Sequence, residues 1–417
     1  MYSIRPLDEA SFDDAVTLMT NAYPGIARDG SAGLERVRQY MRDELLDPRV
    51  SYCGCYDDRR LVGFMRLHDF RINVRGTLIS GGGVGGVAVD LTHKKRGVAK
   101  AMMEYYLRQY RSREASLALL WPFRPDFYHQ MGFGYGAKMY RYRVTAQQLP
   151  PSEERFRCRF LNANDIPQLL GCHNAIAAER HGMAEENEHT FFKTFRPERM
   201  HKVLGYEFDG VLEGYAVLAF TNFDPGNFIK YDLRVHHLLY LTPRALSGML
   251  GFLHSQFDQV RHVLIASPDD AFHYLCQDPR DNSDVLEQPV FHQTNTAGVG
   301  IMFRVIDFDR LCGQLQPVAF PGSEISVGIM LRDTFLPEND GRRVVAFRGG
   351  RAELVAVDSP TVEINLPIAE FSSMVMGAVT FDKLCEYGIA TIDKPARVAD
   401  VTRLFATETP PLCLTSF

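Results

Sequence analysis

The 417-residue sequence has little that would tie it to a membrane, a metal or nucleic acid. No uninterrupted apolar run approaches the roughly 20 residues needed to cross a bilayer. The opening MYSIRPLDEASFDDA is polar and acidic and does not read as a signal peptide. Eight cysteines, Cys53, Cys55, Cys158, Cys172, Cys276, Cys312, Cys385 and Cys413, are scattered with no Cys-x-x-Cys pair. That pattern argues against a zinc site or a disulfide framework and predicts free thiols in a reducing, cytoplasmic setting. His236 and His237 are neighbours in a strand-like run, so they face opposite sides and cannot share a metal; His173 and His181 lack matching partners. A formal net charge of -5 gives no general attraction to phosphate backbones, which argues against nucleic acid as a partner. No Gly-x-Gly-x-x-Gly stands between strand and helix, so a dinucleotide fold is disfavoured. The run Gly81–Gly86, GGGVGG, is followed by neither Gly-Lys-Ser/Thr nor a helix, and it reads as a flexible turn entering a strand.

What is present is an ordinary globular composition, 46% apolar and 23% charged, in a chain long enough for two or three domains. Helical spacing covers residues 11–22 and 34–46, and strand patterns cover 51–56, 61–67 and 84–89. Gly97 to about Ser112 reads as a helix with Ala99, Met102, Met103, Tyr106 and Leu107 on one face. A strand at 117–121, a short helix at 124–131 and a strand at 135–144 complete an alternating α/β series. The proline-bearing break Leu149–Glu154 gives a first domain, 1–150. A second strand–helix series then repeats the order of the first. His237-Leu-Leu-Tyr-Leu-Thr-Pro before a helix parallels Val87-Ala-Val-Asp-Leu-Thr-His before a helix, which suggests an internal duplication. This unit spans 151–306. From 307 to 417 the order becomes strands first and helices after, an α+β pattern. The final Pro410–Phe417 is unusually apolar for a tail and is expected to dock.

One segment carries chemistry. The strand Val87-Ala88-Val89 feeds the basic turn His93-Lys94-Lys95-Arg96-Gly97-Val98-Ala99-Lys100, and a helix follows. Backbone N–H groups at a helix N-terminus carry partial positive charge, Gly97 allows close approach, and Lys95, Arg96 and Lys100 add full charges. A short basic cluster is more often just an exposed helix cap; its place at a strand–helix junction favours a pyrophosphate. The central unit has Thr242-Pro243-Arg244-Ala245-Leu246-Ser247-Gly248 at the corresponding place and is expected not to bind such a ligand.

Val87 to Ala99 resembles motif A of GNAT-type N-acetyltransferases, with Lys94 where that pattern has Arg or Gln. Together with Phe127–Gly136, which is similar to a Tyr-x-x-Phe-Gly-Tyr-Gly segment, and a chain ending in Phe417, it resembles the enhanced intracellular survival (Eis) acetyltransferases over its full length. The resemblance implies tandem GNAT-like domains, the second degenerate, and a C-terminal domain similar to sterol carrier proteins. It implies acetyl-CoA as co-substrate, with the backbone of Val87, Ala88 and Val89 along the pantetheine arm and residues Lys95, Arg96, Gly97, Val98, Ala99 and Lys100 around the pyrophosphate. Tyr128 would be the general acid and the Phe417 carboxylate the general base, acting on aminoglycoside-like polyamines or lysine side chains. A homohexamer, a trimer of dimers, is also implied. Direct attack by an amine needs a base and an acid near the leaving thiolate but no covalent nucleophile. Taken alone, Tyr128 also reads as a core aromatic beside Phe123, Phe127 and Phe133, and Phe417 as a plug that anchors the tail. Asp29 or Glu185, Glu186 and Glu188 could attract a cationic acceptor, though the glutamates read better as solvated surface. Two other readings of the chain are a lipid or small-molecule binder working through the C-terminal domain and an inactive structural subunit.

Overall fold

The computed structural model describes residues 2–27, 30–196, 199–222, 226–288, 290–315, 324–415 and 417. Asp29 therefore lies outside the described residues. The chain forms two compact units. One comprises the chain up to Gly136, Ile301–Thr409 and the chain end from Thr415; the other comprises Ala137–Gly300 and Pro410–Leu414.

The first unit begins with β1 (Ser3–Pro6), α1 (Phe12–Ala22), α2 (Ser31–Glu44), β2 (Val50–Asp57), β3 (Arg60–Val74) and β4 (Thr77–Val89). It continues with α3 (Val98–Ser112), β5 (Leu117–Leu120), α4 (Pro125–His129) and β6 (Gly134–Tyr135). β3 is buried along most of its length because both faces of the sheet are covered. Leu61 and Phe64 pack with Phe12 and Val16 of α1 and Val37 and Met41 of α2. Val62, Met65 and Leu67 pack with Val98, Met102, Met103, Tyr106 and Leu107 of α3. Each large apolar side chain so buried contributes roughly 1.5–3 kcal/mol.

The second unit holds β7 (Lys138–Val144), β8 (Cys158–Leu161), α5 (Ile166–Glu179), α6 (Glu188–Thr194), β9 (Lys202–Phe208), β10 (Val211–Asn222), β11 (Tyr231–Tyr240), α7 (Pro243–His254) and β12 (Val260–Ser267). The ribbon β13 (Leu286–Glu287) and β14 (Phe291–His292) and the strand β15 (Asn295–Val299) follow. Its sheet runs β15-β7-β12-β11-β10-β9-β8, with β11 and β12 parallel. The run read as one strand, 135–144, is split: Tyr135 stays in the first unit while β7 pairs with β12 and β15 of the second. The first unit's opening stretch therefore ends at Gly136, ahead of the break at 149–154.

The chain then returns to the first unit. β16 (Met302–Val305) inserts between β5 and β6, giving the order β1-β2-β3-β4-β5-β16-β6. Residues 302–305, expected at the end of the central domain, thus complete the first sheet. Beyond them come α8 (Phe308–Leu315), β17 (Ile325–Arg332), β18 (Gly341–Arg348), β19 (Arg351–Leu354), β20 (Val362–Pro367), α9 (Ile368–Val375), α10 (Phe381–Glu386), β21 (Thr391–Ile392) and α11 (Val398–Phe405). These strands form a third sheet, β19-β18-β17-β20-β21. No helix among the described residues is long and apolar enough to cross a membrane, and all eight cysteines are free.

Candidate active site

β4 and β5 pair in parallel through Gly81–Val84 and Leu117–Leu120, and then part. β4 keeps its pairing with β3 as far as Val89, across a register shift near Gly86, whose φ is 57°. That leaves one edge of β4 without a partner strand. The Asp90 N–H donates to Val62 O at 2.9 Å, toward β3. Backbone groups alternate along a strand, so those of Ala88 also face β3 and those of Val87 and Val89 face the gap. Of the three residues expected along a pantetheine arm, two present their polar groups there. An extended chain laid in such a gap would be bound as an added strand. The Val87 carbonyl already accepts a hydrogen bond from the Tyr23 hydroxyl at 2.9 Å.

Beyond β4 the chain turns through Lys94–Gly97 into α3. Lys95 and Gly97 have φ of 63° and 83°, in the left-handed region. The first helical bond is Ala101 N–H to Gly97 O, so the N–H groups of Val98, Ala99 and Lys100 open the helix unpaired by it. Lys94, Lys95, Arg96 and Lys100 are exposed. No described acidic side chain pairs with any of them. The Tyr2 hydroxyl donates to Arg96 O at 3.2 Å and fixes the turn from outside.

Tyr128 lies on α4, which starts at Pro125 and is closed by Gly132 at φ 82°. Its ring is 4% exposed and packs edge-on against Phe123, Phe127 and Phe133. No described residue hydrogen-bonds its hydroxyl. Burial, and after it the neighbouring Tyr23, push its pKa well above the ordinary phenol value. Tyr128 is thus a core aromatic and a neutral phenol, close enough to Tyr23 to feel its charge. Its helix is pinned through His129, whose Nε2 is 2.8 Å from Glu370 Oε1 on α9.

Phe417 is seated on β3 and β4. Arg66, His68 and Phe70 are two residues apart on β3 and share a face. The Phe417 ring lies 5.5 Å from that of His68 and 4.9 Å from that of Phe70. Directly across the ladder, Gly83 pairs with His68 and Gly85 with Arg66. A Cβ at Gly83 would come within 2.9 Å of the Phe417 ring, and one at Gly85 within 2.8 Å of its carboxyl carbon. The same point at Gly85 is 3.0 Å from Arg66 Nη2. The glycine run read as a flexible turn is therefore strand, and Gly83 and Gly85 clear the space that Phe417 fills. On the opposite face, a Cβ at Gly82 would strike the Tyr110 ring at 2.2 Å.

Several residues of this site carry no motif. Trp121 donates its indole N–H to Thr415 O at 3.0 Å and holds the tail. Arg66, 8% exposed, is ion-paired with Glu44, 3% exposed. Burial opposes the Arg66 charge, and Glu44 together with Tyr40 more than offsets it. The alternation Arg66-His68-Phe70 was the available signal for a seat on one strand face.

The second unit has the same outline with different chemistry. Leu241 N–H donates to Glu213 O, and Thr242 caps α7 by accepting from Ala245 N–H at 3.3 Å. The Thr242 hydroxyl donates to Glu213 at 2.7 Å, and Arg244 forms an ion pair with the same carboxylate. Tail residues Leu412 and Leu414 pack against the cluster containing Leu239 and Tyr215, and Leu412 N–H donates to His181 O at 2.8 Å. His173 is buried between the Tyr215 hydroxyl and Ala184 O. Glu186, read as surface, is 8% exposed and accepts from the Thr190 hydroxyl at 2.6 Å, so it is committed to structure.

Comparison with known proteins agrees with this duplication. Residues 3–136 and 180–305 each match an acetyltransferase (GNAT) domain family, and residues 314–414 match the sterol carrier protein domain. An uncharacterized N-acetyltransferase of Streptomyces avermitilis is 23% identical over 378 residues, 86% of this chain and 87% of its own length. Another, from Streptomyces griseus, is 22% identical over 86% of this chain and 88% of its own. Among solved structures, a GCN5-related N-acetyltransferase from Anabaena variabilis superposes with TM-score 0.81 at 14% identity over 100% of both chains. Eis1 from Mycobacterium abscessus does so with TM-score 0.78 at 20% identity, again over 100% of both. GNAT domains use acetyl-CoA as co-substrate. The chain is an acetyltransferase of the GNAT type, built from two GNAT domains and a sterol carrier protein domain.

Proposed function

We propose that this protein is an Eis-like N-acetyltransferase that moves acetyl from acetyl-CoA to a primary amine by direct attack, in its first GNAT domain. Acetyl-CoA lies along the β4 edge at Val87 and Val89, with its pyrophosphate at the turn and helix start from Lys95 to Lys100. The Phe417 carboxylate takes the proton from the attacking amine, directly or through water. As the C–S bond breaks, the Tyr128 hydroxyl faces the leaving sulfur. A phenol held above its usual pKa keeps its proton but is a weaker acid than a thiol of pKa near 8.5. Tyr128 therefore acts first as a hydrogen-bond donor to the developing thiolate; its proton passes to sulfur only as solvent reprotonates the phenol, which leaves Tyr128 neutral. Aminoglycoside-like polyamines and lysine side chains are the acceptor classes, in a cytoplasmic homohexamer.

The observation that supports this reading most is the packing of the Phe417 carboxyl against Gly85, on the strand whose next residues line the gap. Phe417 plugs its seat with the ring and still leaves a carboxylate beside the reaction path. The rival reading, a lipid binder, rests on the apolar cavity in the C-terminal domain, lined by Phe308, Leu311, Ile329, Phe347 and Phe371, which holds about 400 Å³ of empty space, open solvent included; the basic turn at Lys94–Lys100 of the first domain favours the enzyme.

The test is release of CoA thiol from acetyl-CoA with a panel of amines, for the intact chain and for one lacking Phe417. Turnover of polyamines by the first, and acetyl-CoA binding without turnover by the second, is the expected result. Equal turnover by both forms removes the carboxylate from the mechanism, and no turnover by either removes the amine acceptors.

A further inference from the structure

The most deeply buried charge in the first unit lies outside the gap. Arg304 is 0% exposed, in the middle of β16, and its partner Asp333 is 2% exposed. The guanidinium Nη2 donates to both oxygens of Asp333, at 2.9 and 2.8 Å. Asp333 in turn accepts from the N–H groups of Phe335 and Leu336, at 3.1 and 2.9 Å. The other terminal nitrogen, Nη1, donates to Met131 O. A sheet core strand gains nothing from such a group. Desolvating a buried pair costs about as much as its attraction returns, and a well-packed apolar pair is often as stable or more so. Burial lowers the Arg304 pKa although Asp333 opposes the shift.

What the pair does touch is the turn that follows Tyr128. The Tyr128 carbonyl accepts from the N–H groups of Met131 and Phe133, at 2.9 and 3.2 Å, closing α4. Met131 O is the carbonyl that Arg304 holds. Next to it, Gly132 leaves the room that the guanidinium enters: a Cβ there would lie 1.4 Å from Nη1. We infer that Arg304, delivered by a strand some 170 residues along the chain and locked by Asp333, is a positioning residue that fixes the α4 turn and thereby the Tyr128 hydroxyl at the gap. The inference rests on the reading of Tyr128 as the acid. Arg304 touches no reacting atom. It acts through Met131 O and the turn, as His129–Glu370 does from the other side.

The experiment replaces the pair in the full chain by apolar residues, Arg304→Met with Asp333→Leu, and measures Tm, acetyl-CoA Kd, and kcat in the wild-type and Tyr128→Phe backgrounds. The expected result is a Tm lower by a few degrees, because Met131 O and the Phe335 and Leu336 N–H groups lose their partners, with an unchanged Kd and kcat lower by about 10- to 100-fold, the scale of a loosened catalytic geometry. In the Tyr128→Phe background the same replacement should change kcat less than about 2-fold, because both act through one hydroxyl. A folded double variant with wild-type kcat overturns the inference. So does an undiminished loss in the Tyr128→Phe background, which marks a general structural defect. Should the double variant not fold, Arg304→Lys puts the same question. One ammonium cannot hold both Asp333 oxygens and Met131 O together, so kcat should fall in a folded protein, and wild-type kcat there overturns the inference as well. Wild-type kcat in Tyr128→Phe alone removes the acid reading, and this inference with it.

Discussion

Gly85→Ala tests the seat of Phe417 with a single methyl group. Its φ is outside the left-handed region, so alanine is not strained there, and in a strand it is worth roughly 0.5–1 kcal/mol over glycine. The added Cβ meets the Phe417 carboxyl carbon at 2.8 Å and its oxygen at 3.0 Å. Contacts that short to backbone atoms are relieved by moving the tail. Releasing the Phe417 ring from His68 and Phe70 costs at most about 2 kcal/mol of burial, partly offset by the alanine gain. Tm should fall by only a few degrees. Loss of a general base removes about 10²- to 10⁴-fold, or about 3–5 kcal/mol of barrier. So kcat should collapse in a protein that still folds and still binds acetyl-CoA. Tail position has its own reporter, since Trp121 is the sole tryptophan and its N–H bonds Thr415 O. Its emission should shift when the tail leaves. If emission shifts while kcat stays within about 3-fold of wild type, the carboxylate is not the base. If neither changes, the tail does not depend on Gly85, and the account of the glycine run is wrong.

Three other outcomes follow from the same geometry. Tyr128→Phe should lower kcat about 10²-fold with acetyl-CoA Kd unchanged; because its pKa is raised, the phenol stays protonated to higher pH, and the wild-type rate should show no alkaline limb from this group below about pH 10. Lys95→Ala and Arg96→Ala should each weaken acetyl-CoA binding about 3- to 10-fold and flatten its salt dependence, leaving kcat near wild type, as titration at two ionic strengths would reveal. A fragment of residues 1–150 lacks β16, whose four residues are all buried between β5 and β6; it should show no cooperative thermal transition, and a sharp one would refute the need for the inserted strand.

Local pattern made most helices and strands of the first domain readable. α3 was visible as a 3.6-residue repeat, because one face packs on the sheet and the other meets solvent. The basic turn was visible because its exposed cations have no described acidic partners and stand next to one another in sequence. Two things were not readable. The glycine run looked like a loop because glycine has the same letter whether it frees a backbone or makes room for a partner; here the partner, Phe417, is over 300 residues away. The insertion of β16 was hidden for the same reason. Met302–Val305 is a short buried strand like many others, and nothing local says which sheet it joins. Arg304 was the one anomaly, a charge within an apolar strand, and such a residue needs a distant counterion.

The two GNAT domains differ at the start of the crossover helix. Both keep a parallel pair flanking a crossover helix, β4 and β5 around α3, β11 and β12 around α7. The scaffold is therefore not what diverged. In the first, Lys95, Arg96 and Lys100 have no acidic partner among the described residues, and no described side chain caps the helix-start N–H groups. In the second, Pro243 removes an N–H, Thr242 caps another, and Glu213 neutralises Arg244. Each of these changes stabilises the domain by the ordinary rules of helix capping and charge pairing. A slot kept ready for an anion gives up that stabilisation, with like charges close together and donors left to water. The local stability that the second domain gains at its helix start is absent from the first, as expected if the first helix start holds the pyrophosphate in the way we propose.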